Sequence, residues 1–391
     1  MTKSGSTRRA ALGLGAGALA AATVGCTPQW VGGDEDPYAP WRLWDAPELR
    51  DTPAALVAAA MLAANPHDTQ PWRFRVGLDA IEVYADLTRD LGAMDAALRE
   101  MHLGLGCAIE NMTVAASANG FAVDILPAPG PLPSLDAARA PVLAATLRLS
   151  RAAATPHSLR AALAARHTNR YAYDPGRPPN RDWIDLAKAL GGEAGVRVQL
   201  MESGPRRQAF DAAVLDATEA IIADAQMIAD SDRWFRGSAA EIATHRDGPT
   251  LETAGLSPLK LTLAKWFPVS AETSHRAWLD LTRDTQLASA PMVGLIVVAD
   301  RYDRPTALAA GRVWQRLHLE ATRRGLAMQP LNQPIERIDR ERQLGLAPEW
   351  ERRVARLTEG GGQATFAFRV GYAATEAAAS PRRRLADVIM G

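Results

Sequence analysis

The chain has 391 residues, 47% hydrophobic and 23% charged, enough to bury a large core in more than one lobe and too apolar for a disordered protein. Lysine plus arginine and aspartate plus glutamate both number 44, so no basic face advertises nucleic acid or an anionic membrane, and basic residues must act locally. Two cysteines and seven histidines, scattered without HExxH or paired Cys/His spacing, leave no strong metal site.

At the N-terminus, Thr7-Arg8-Arg9-Ala10-Ala11-Leu12 leads into an uncharged Ala/Gly-rich run over 10–25. A charged start before a short apolar core is the pattern of an export signal, and the arginine pair fits the twin-arginine type better than general export. The run is shorter than the roughly 20 residues that cross a bilayer as a helix. Thr23-Val24-Gly25-Cys26 loosely matches a lipoprotein box. Residues 1–31 therefore read as export signal and tether, and the chain is expected to be periplasmic or held at the membrane by a lipid on Cys26. Cys107 then stands alone in an apolar helix, as a small packed hydrophobe with no disulfide partner.

Order is expected from Trp41. Residues 54–64 read as a helix that stops before Asn65-Pro66, because proline disfavours helix in its predecessor. Residues 72–76 and 81–86 alternate as strands around Gly77-Leu78-Asp79. A long helix follows to Asn119, closed by Gly120, and 121–126 and 141–149 are strand candidates. The first lobe is placed at 41–150 and the second at 151–391.

A weak repeat links the two. Gly106 and Gly120 map onto Gly311 and Gly325 with one offset, since 311 − 106 = 205 and 325 − 120 = 205. Val83-Tyr84-Ala85-Asp86 resembles Val297-Val298-Ala299-Asp300 upstream of each. Chance similarity between two Ala/Gly-rich helices is the competing explanation. About 215–287 has no counterpart in the first half and carries Trp234-Phe235, Pro249, Trp266-Phe267-Pro268 and Trp278. These aromatics suit either a lid or core packing.

Two segments carry chemistry. Arg166-His-Thr-Asn-Arg170 sets two guanidiniums and a hydroxyl at alternate positions, where bidentate hydrogen bonds to a phosphate monoester are possible. Asn65-Pro-His-Asp-Thr-Gln-Pro-Trp72 is a polar loop with a rigid end, able to meet the edge of a planar heterocycle. No Gly-rich phosphate loop follows a strand and no nucleophile elbow is present, which disfavours Rossmann and hydrolase readings.

With these two segments, the sequence resembles the nitroreductase family of FMN-dependent flavoproteins, in its branch of duplicated single-chain members. The resemblance implies an α+β fold of two tandem lobes, each a mainly antiparallel sheet packed with helices, forming an intrachain pseudo-dimer with FMN at the interface. It implies that Asn65, His67, Asp68, Thr69 and Gln70 cover the ring, that Arg166 and Thr168 face the phosphate and ribityl end, and that Arg170 approaches the pyrimidine edge. Gly325-Leu-Ala-Met-Gln-Pro-Leu-Asn-Gln333 resembles the family turn at the reactive edge, implicating Pro330, Leu331, Asn332 and Gln333. Ser380-Pro381-Arg382-Arg383-Arg384-Leu385 resembles a basic segment closing over the phosphate, with Arg382 and Arg384 as contacts and Arg383 in solvent.

A second RxSxR segment and a second QPW loop are missing, so one FMN per chain and a monomeric pseudo-dimer are expected, serving a small-molecule electron donor and acceptor. The family usually has asparagine where this chain has Asp68. An ionised Asp68 accepts from the ring imide but cannot donate, and its charge opposes an anionic reduced ring. His67 is at least as consistent with a structural role. The activity implied is reduction of an electron-poor acceptor through FMN. Storage of FMN without turnover is the alternative, since nicotinamide donors are scarce outside the cytoplasm.

Overall fold

In a computed structural model of the protein, residues 36–390 are described apart from 138, 194 and 267–269. Arg8, Arg9, Cys26, Phe267 and Pro268 lie outside the described residues. The fold is α+β with two antiparallel four-stranded units. β1 (Trp72–Val76), β2 (Ala80–Ala85), β3 (Phe121–Pro127) and β4 (Val142–Arg151) lie in the order β3-β4-β2-β1. β5 (Arg197–Met201), β6 (Met292–Val298), β7 (Ala327–Pro330) and β8 (Gln363–Gly371) lie in the order β5-β6-β8-β7. Taken strand by strand, the two orders are the same.

Each unit inserts a 20-residue helix between its second and third strands, Arg99–Ala118 in one and Arg304–Arg323 in the other. The 205-residue offset carries one helix onto the other at both ends, since 304 − 99 = 205 and 323 − 118 = 205. Asp303 caps the later helix by accepting from the Thr306 amide at 3.0 Å. The earlier helix starts from Leu98 in the left-handed region, φ 52°, and Asp95 supplies the cap, accepting from the amides of Glu100 at 2.9 Å and Met101 at 2.8 Å. Gly120, φ 69°, ends it.

These helices cross at Gly106 and Gly311. A Cβ at Gly106 would collide with the Leu308 carbonyl oxygen, and one at Gly311 with the Leu103 carbonyl oxygen, so glycine is what lets the backbones approach. Polar ties flank the crossing. Arg312 donates to Glu110 at 3.1 Å, Arg316 also pairs with Glu110, and Gln315 donates to Asn111 at 2.7 Å. Cys107 is buried there with its thiol toward the Gly311 carbonyl, in keeping with a packed hydrophobe, and burial holds the thiol well above its ordinary pKa.

The two sheets differ in what covers them. In β2, Ile81, Val83 and Ala85 are buried while their neighbours are half-exposed, the alternation of a sheet covered on one face. Every residue of β6 is buried. Met292, Ile296 and Val298 join the main core with Trp314, whereas Val293, Leu295 and Val297 pack with Phe210, Val214, Ile335 and Ile338. Phe210 and Val214 belong to a helix, Pro205–Ile222, within the connection 202–291 that replaces the short turn between β1 and β2. The insertion therefore roofs the second sheet.

Two boundaries differ from expectation. The helix expected over 54–64 is Pro53–Ala60, because the later amides leave the i−4 ladder: Leu62 and Ala63 bond the carbonyls three residues back, and Ala64 donates to Gln315 at 3.2 Å. The C-terminal strand β9 (Ile389–Met390) runs parallel to β1 and extends the first sheet, so the segment drawn as second lobe ends in the first.

Candidate active site

A cavity of about 270 Å³ is lined from both halves of the chain. Asn65, His67, Leu103 and Gly104 come from the first, and Thr168, Arg170, Trp314, Pro330, Gln333 and Phe366 from the second. A smaller adjoining space shares Asn65, His67, Thr168 and Arg170 and is completed by Asp68, Arg166, Ser380 and Arg382. The loop and arginine segment, a hundred residues apart in sequence, are thus neighbours.

The loop at 65–71 is held in a costly shape. His67, Asp68 and Gln70 have φ of 45°, 49° and 49°, a region uncommon for residues with a Cβ. Asn65 fixes the turn, its side-chain oxygen accepting from the Gln70 amide at 2.8 Å and its amide donating to Asp68 at 3.3 Å. Gln315 of the other half accepts from the Ala64 amide at 3.2 Å. Gly104 permits the approach, since a Cβ there would stand 3.1 Å from Pro66.

Arg166 leaves a short helix in extended conformation, so alternate side chains turn the same way. Arg166, Thr168 and Arg170 line the site together with His167, while Asn169 turns away and donates to the Thr375 carbonyl at 2.8 Å. Arg166 is 2% exposed and bonds Leu62 through one terminal nitrogen, with Nε unpartnered. Arg382, equally buried, donates to Asp68 at 2.5 Å, lies 4.6 Å from the Trp41 ring and also has an unpartnered Nε. Burial and then repulsion from Arg382 hold Arg166 down to about 10. Two buried guanidiniums face a single carboxylate, so the site lacks an anion.

Burial pushes the Asp68 carboxyl up to about 7 against the pull of Arg382 and Asn65, and its second oxygen has no partner. Asp68 is thus divided between its charged and neutral forms at neutral pH, and its neutral form can donate where an ionised one cannot. The folded chain keeps a proton that the unfolded chain releases above its ordinary value, so this group makes stability fall as pH rises from about 4 to about 7. Asp68→Asn should flatten that fall by up to about 1.4 kcal/mol per pH unit, measured by chemical denaturation across this range. His67 is neutral, held down to about 4 by burial and then Arg170, with its Nε2 3.1 Å from the Ser231 hydroxyl.

Four expected residues lie outside the cavity lining. Thr69, within the loop, is fully buried. Gln70 is a latch, donating to the Arg246 carbonyl at 2.8 Å and accepting from the Arg383 amide at 2.8 Å. Leu331 packs in the second core. Arg384 points outward to Asp387 at 2.9 Å. Arg383, expected in solvent, is instead 8% exposed and donates to the carbonyls of Gln70 at 3.3 Å and Asp387 at 2.6 Å. The chain reverses here because β9 must reach β1, which turns Arg383 inward. Arg383→Ala should cost about 2 kcal/mol by losing charged hydrogen bonds, read as a drop in the denaturation midpoint.

The insertion covers the site. Ser231, Pro249 and Trp278 line the cavity. It is fastened by the Gly248 amide to the Asp68 carbonyl at 3.2 Å, by Arg170 to the Thr253 carbonyl at 2.9 Å and by Arg89 to Asp247. Of the other aromatics, Trp234 is buried with Leu91, Met94 and Met227, and Trp266 is exposed. Sequence reasoning missed Glu100, Glu336, Trp314 and Phe366 in the lining. Glu336 follows Gln333 by three residues on one helix, a spacing that already puts them on one face. Among the described residues there is no metal-binding cluster, and no helix is long and apolar enough to cross a membrane.

No protein-family model matches the chain. It is 26% identical over 348 residues, 87% of this chain and 91% of the relative, to Rv3131 of Mycobacterium tuberculosis, which bears the name of an NAD(P)H nitroreductase. It is 27% identical over 285 residues, 71% of this chain and 78% of the relative, to acg of the same organism, similarly named. Among solved structures, the FMN-dependent nitroreductase NfnB of Mycobacterium smegmatis matches 59% of this chain and 96% of its own at 17% identity, with a TM-score of 0.35. In sequence, then, the chain is similar through most of its length to proteins named as nitroreductases.

Proposed function

We propose that the protein is an FMN-dependent oxidoreductase of the nitroreductase type that holds one FMN inside a single chain. The observation that carries this reading is the buried, anion-deficient pair Arg166 and Arg382 at one end of a cavity whose other end is walled by Trp314 and Phe366. Their unpartnered Nε groups fit a phosphate, and the aromatic walls fit a flat ring. FMN, when bound, supplies hydride acceptance and donation, chemistry that side chains lack. The chain's part is to hold, orient and exclude water. Arg166 and Arg382 clamp the anion, Thr168 and Ser380 add hydroxyls, and the loop at 65–71 is held in its shape by Asn65 and Gln315. The equal strand orders and the shared offset support an internal duplication, with the chain acting as its own pseudo-dimer and monomeric in solution.

One observation favours a second reading. The insertion is fastened over the loop by the Gly248, Arg170 and Arg89 bonds, which suits a protein that retains FMN without turnover. The Arg8-Arg9 pair supports export by the twin-arginine route, with a tether at Cys26, to a place where nicotinamide donors are scarce. Anaerobic titration of the purified yellow protein with NADH and NADPH separates the two. Bleaching of the flavin band, and its return on adding a quinone, is the expected result. A flavin that neither donor bleaches would establish retention instead.

A further inference from the structure

At the end of the cavity away from the guanidiniums, four carboxyl groups converge on one cation. Arg99 is fully buried, donating to Asp339 at 2.8 Å, to the Thr365 carbonyl at 2.6 Å and to Glu100 at 3.3 Å. Asp339 also accepts from the Tyr302 hydroxyl at 2.9 Å, and Asp95 is occupied by the two helix amides that it caps. Glu100 has Arg99 and the Asn332 side chain. Glu336 is the least compensated. It is 7% exposed, lines the cavity on the first turn of the helix Gln333–Leu344, and its Oε2 has no hydrogen-bond partner. Beside it, Oε1 of Gln333 is buried and unpartnered too.

One guanidinium cannot support four buried negative charges, since each unpaired charge in such a place costs several kcal/mol. The proton settles where compensation is poorest. Burial, then repulsion from Glu100, holds Glu336 well above the ordinary carboxyl range, with Arg99 opposing and Asp95 and Asp339 adding to the rise. A neutral carboxyl in an aromatic-walled cavity is a hydrogen-bond donor that faces the ligand.

Resting on the FMN reading of the same cavity, we propose that Glu336 is the specificity-determining donor for the second ligand, the electron acceptor. It engages an uncharged oxygen on a flat aromatic molecule, such as a quinone carbonyl or nitro group. Glu100, which is paired with Arg99 and lines the cavity beside it, repels aromatic acceptors that carry a sulfonate or carboxylate. Donation from Glu336 also orders the acceptor against Trp314 and Phe366, and Gln333 accepts any hydroxyl or amine that the molecule presents.

Trp278 and Trp314 line the cavity, so tryptophan emission reports its occupancy. The flavin-loaded chain is titrated with a neutral naphthoquinone and with its sulfonate, in wild type, Glu336→Gln and Glu336→Leu, with flavin content measured in each preparation. In wild type the neutral quinone should bind at least about tenfold more tightly than the sulfonate, a difference of one decade in Kd. Glu336→Leu should weaken the neutral quinone by about tenfold, while Glu336→Gln, which keeps a donor, stays within about threefold. Infrared difference spectra of wild type minus Glu336→Gln at neutral pH, in which the other buried carboxyls cancel, should carry a protonated-carboxyl stretch that shifts on adding quinone.

Equal affinity for the two quinones, an unchanged Kd in Glu336→Leu, or the absence of a difference band between wild type and Glu336→Gln would each overturn the assignment. A wild-type chain that holds no flavin, yet has the difference band, would instead defeat the FMN reading and leave the acid in place.

Discussion

Arg166→Ala should release FMN, lowering its affinity by about a hundredfold, or about 3 kcal/mol, read by fluorescence of the freed flavin on dilution. Arg166 is almost fully buried, so a phosphate reaching its free Nε is paired in a partly dry setting where a charge-assisted bond is strong. The same variant should not lose stability in the ligand-free state in proportion. Without an anion, Arg166 and Arg382 repel, and removing one relieves that while forfeiting one bond to the Leu62 carbonyl. A variant that simply unfolded would show both losses together. Weak FMN binding with an unchanged denaturation midpoint is the signature of a phosphate clamp.

The second large effect concerns the fold. Gly311→Ala should destabilise the chain by about 3 kcal/mol, and Gly106→Ala similarly, because the new methyl meets backbone rather than a movable side chain. Backbone atoms at Leu103 and Leu308 can yield only if the long helices separate. Separation would carry Gly104 away from Pro66 and Gln315 away from Ala64, loosening the loop that covers the cavity. FMN retention should therefore fall alongside the melting temperature. Gly192→Ala is the control: its Cβ meets nothing and it sits in a helix, where alanine is favoured over glycine by about 1 kcal/mol, so the midpoint should hold or rise.

The local grammar of the first lobe was legible. Strong alternation around Gly77-Leu78-Asp79 and a glycine after Asn119 place β1, β2 and the end of the long helix within a residue or two of where they lie. Gly106 and Gly311, paired in sequence by the 205-residue offset, meet at the helix crossing, where the close backbone approach demands glycine. Alternation in 166–170 was only partly a guide, since His167 lines the smaller space together with Arg166, Thr168 and Arg170.

Less could be read where a residue's fate depends on distant chain. Arg383 and Arg384 are neighbours of one type, and only the return of β9 to β1 decides that the first is buried and the second turned out. Gln70 seemed a cofactor ligand from its motif but is spent on the C-terminal tail. The neutral fraction of Asp68 is likewise invisible in sequence, since it comes from burial that outweighs Arg382. Glu336 and Glu100 are separated by more than two hundred residues, and nothing in either segment announces that they share one cation.

Native mass spectrometry of the purified protein tests the central claim most directly, since it counts chains and flavins in the same particle. One chain carrying one FMN is the predicted species, with the flavin lost from Arg166→Ala under the same conditions. FMN found only on a two-chain assembly, or two FMN on a single chain, would contradict a site built between the halves of one polypeptide.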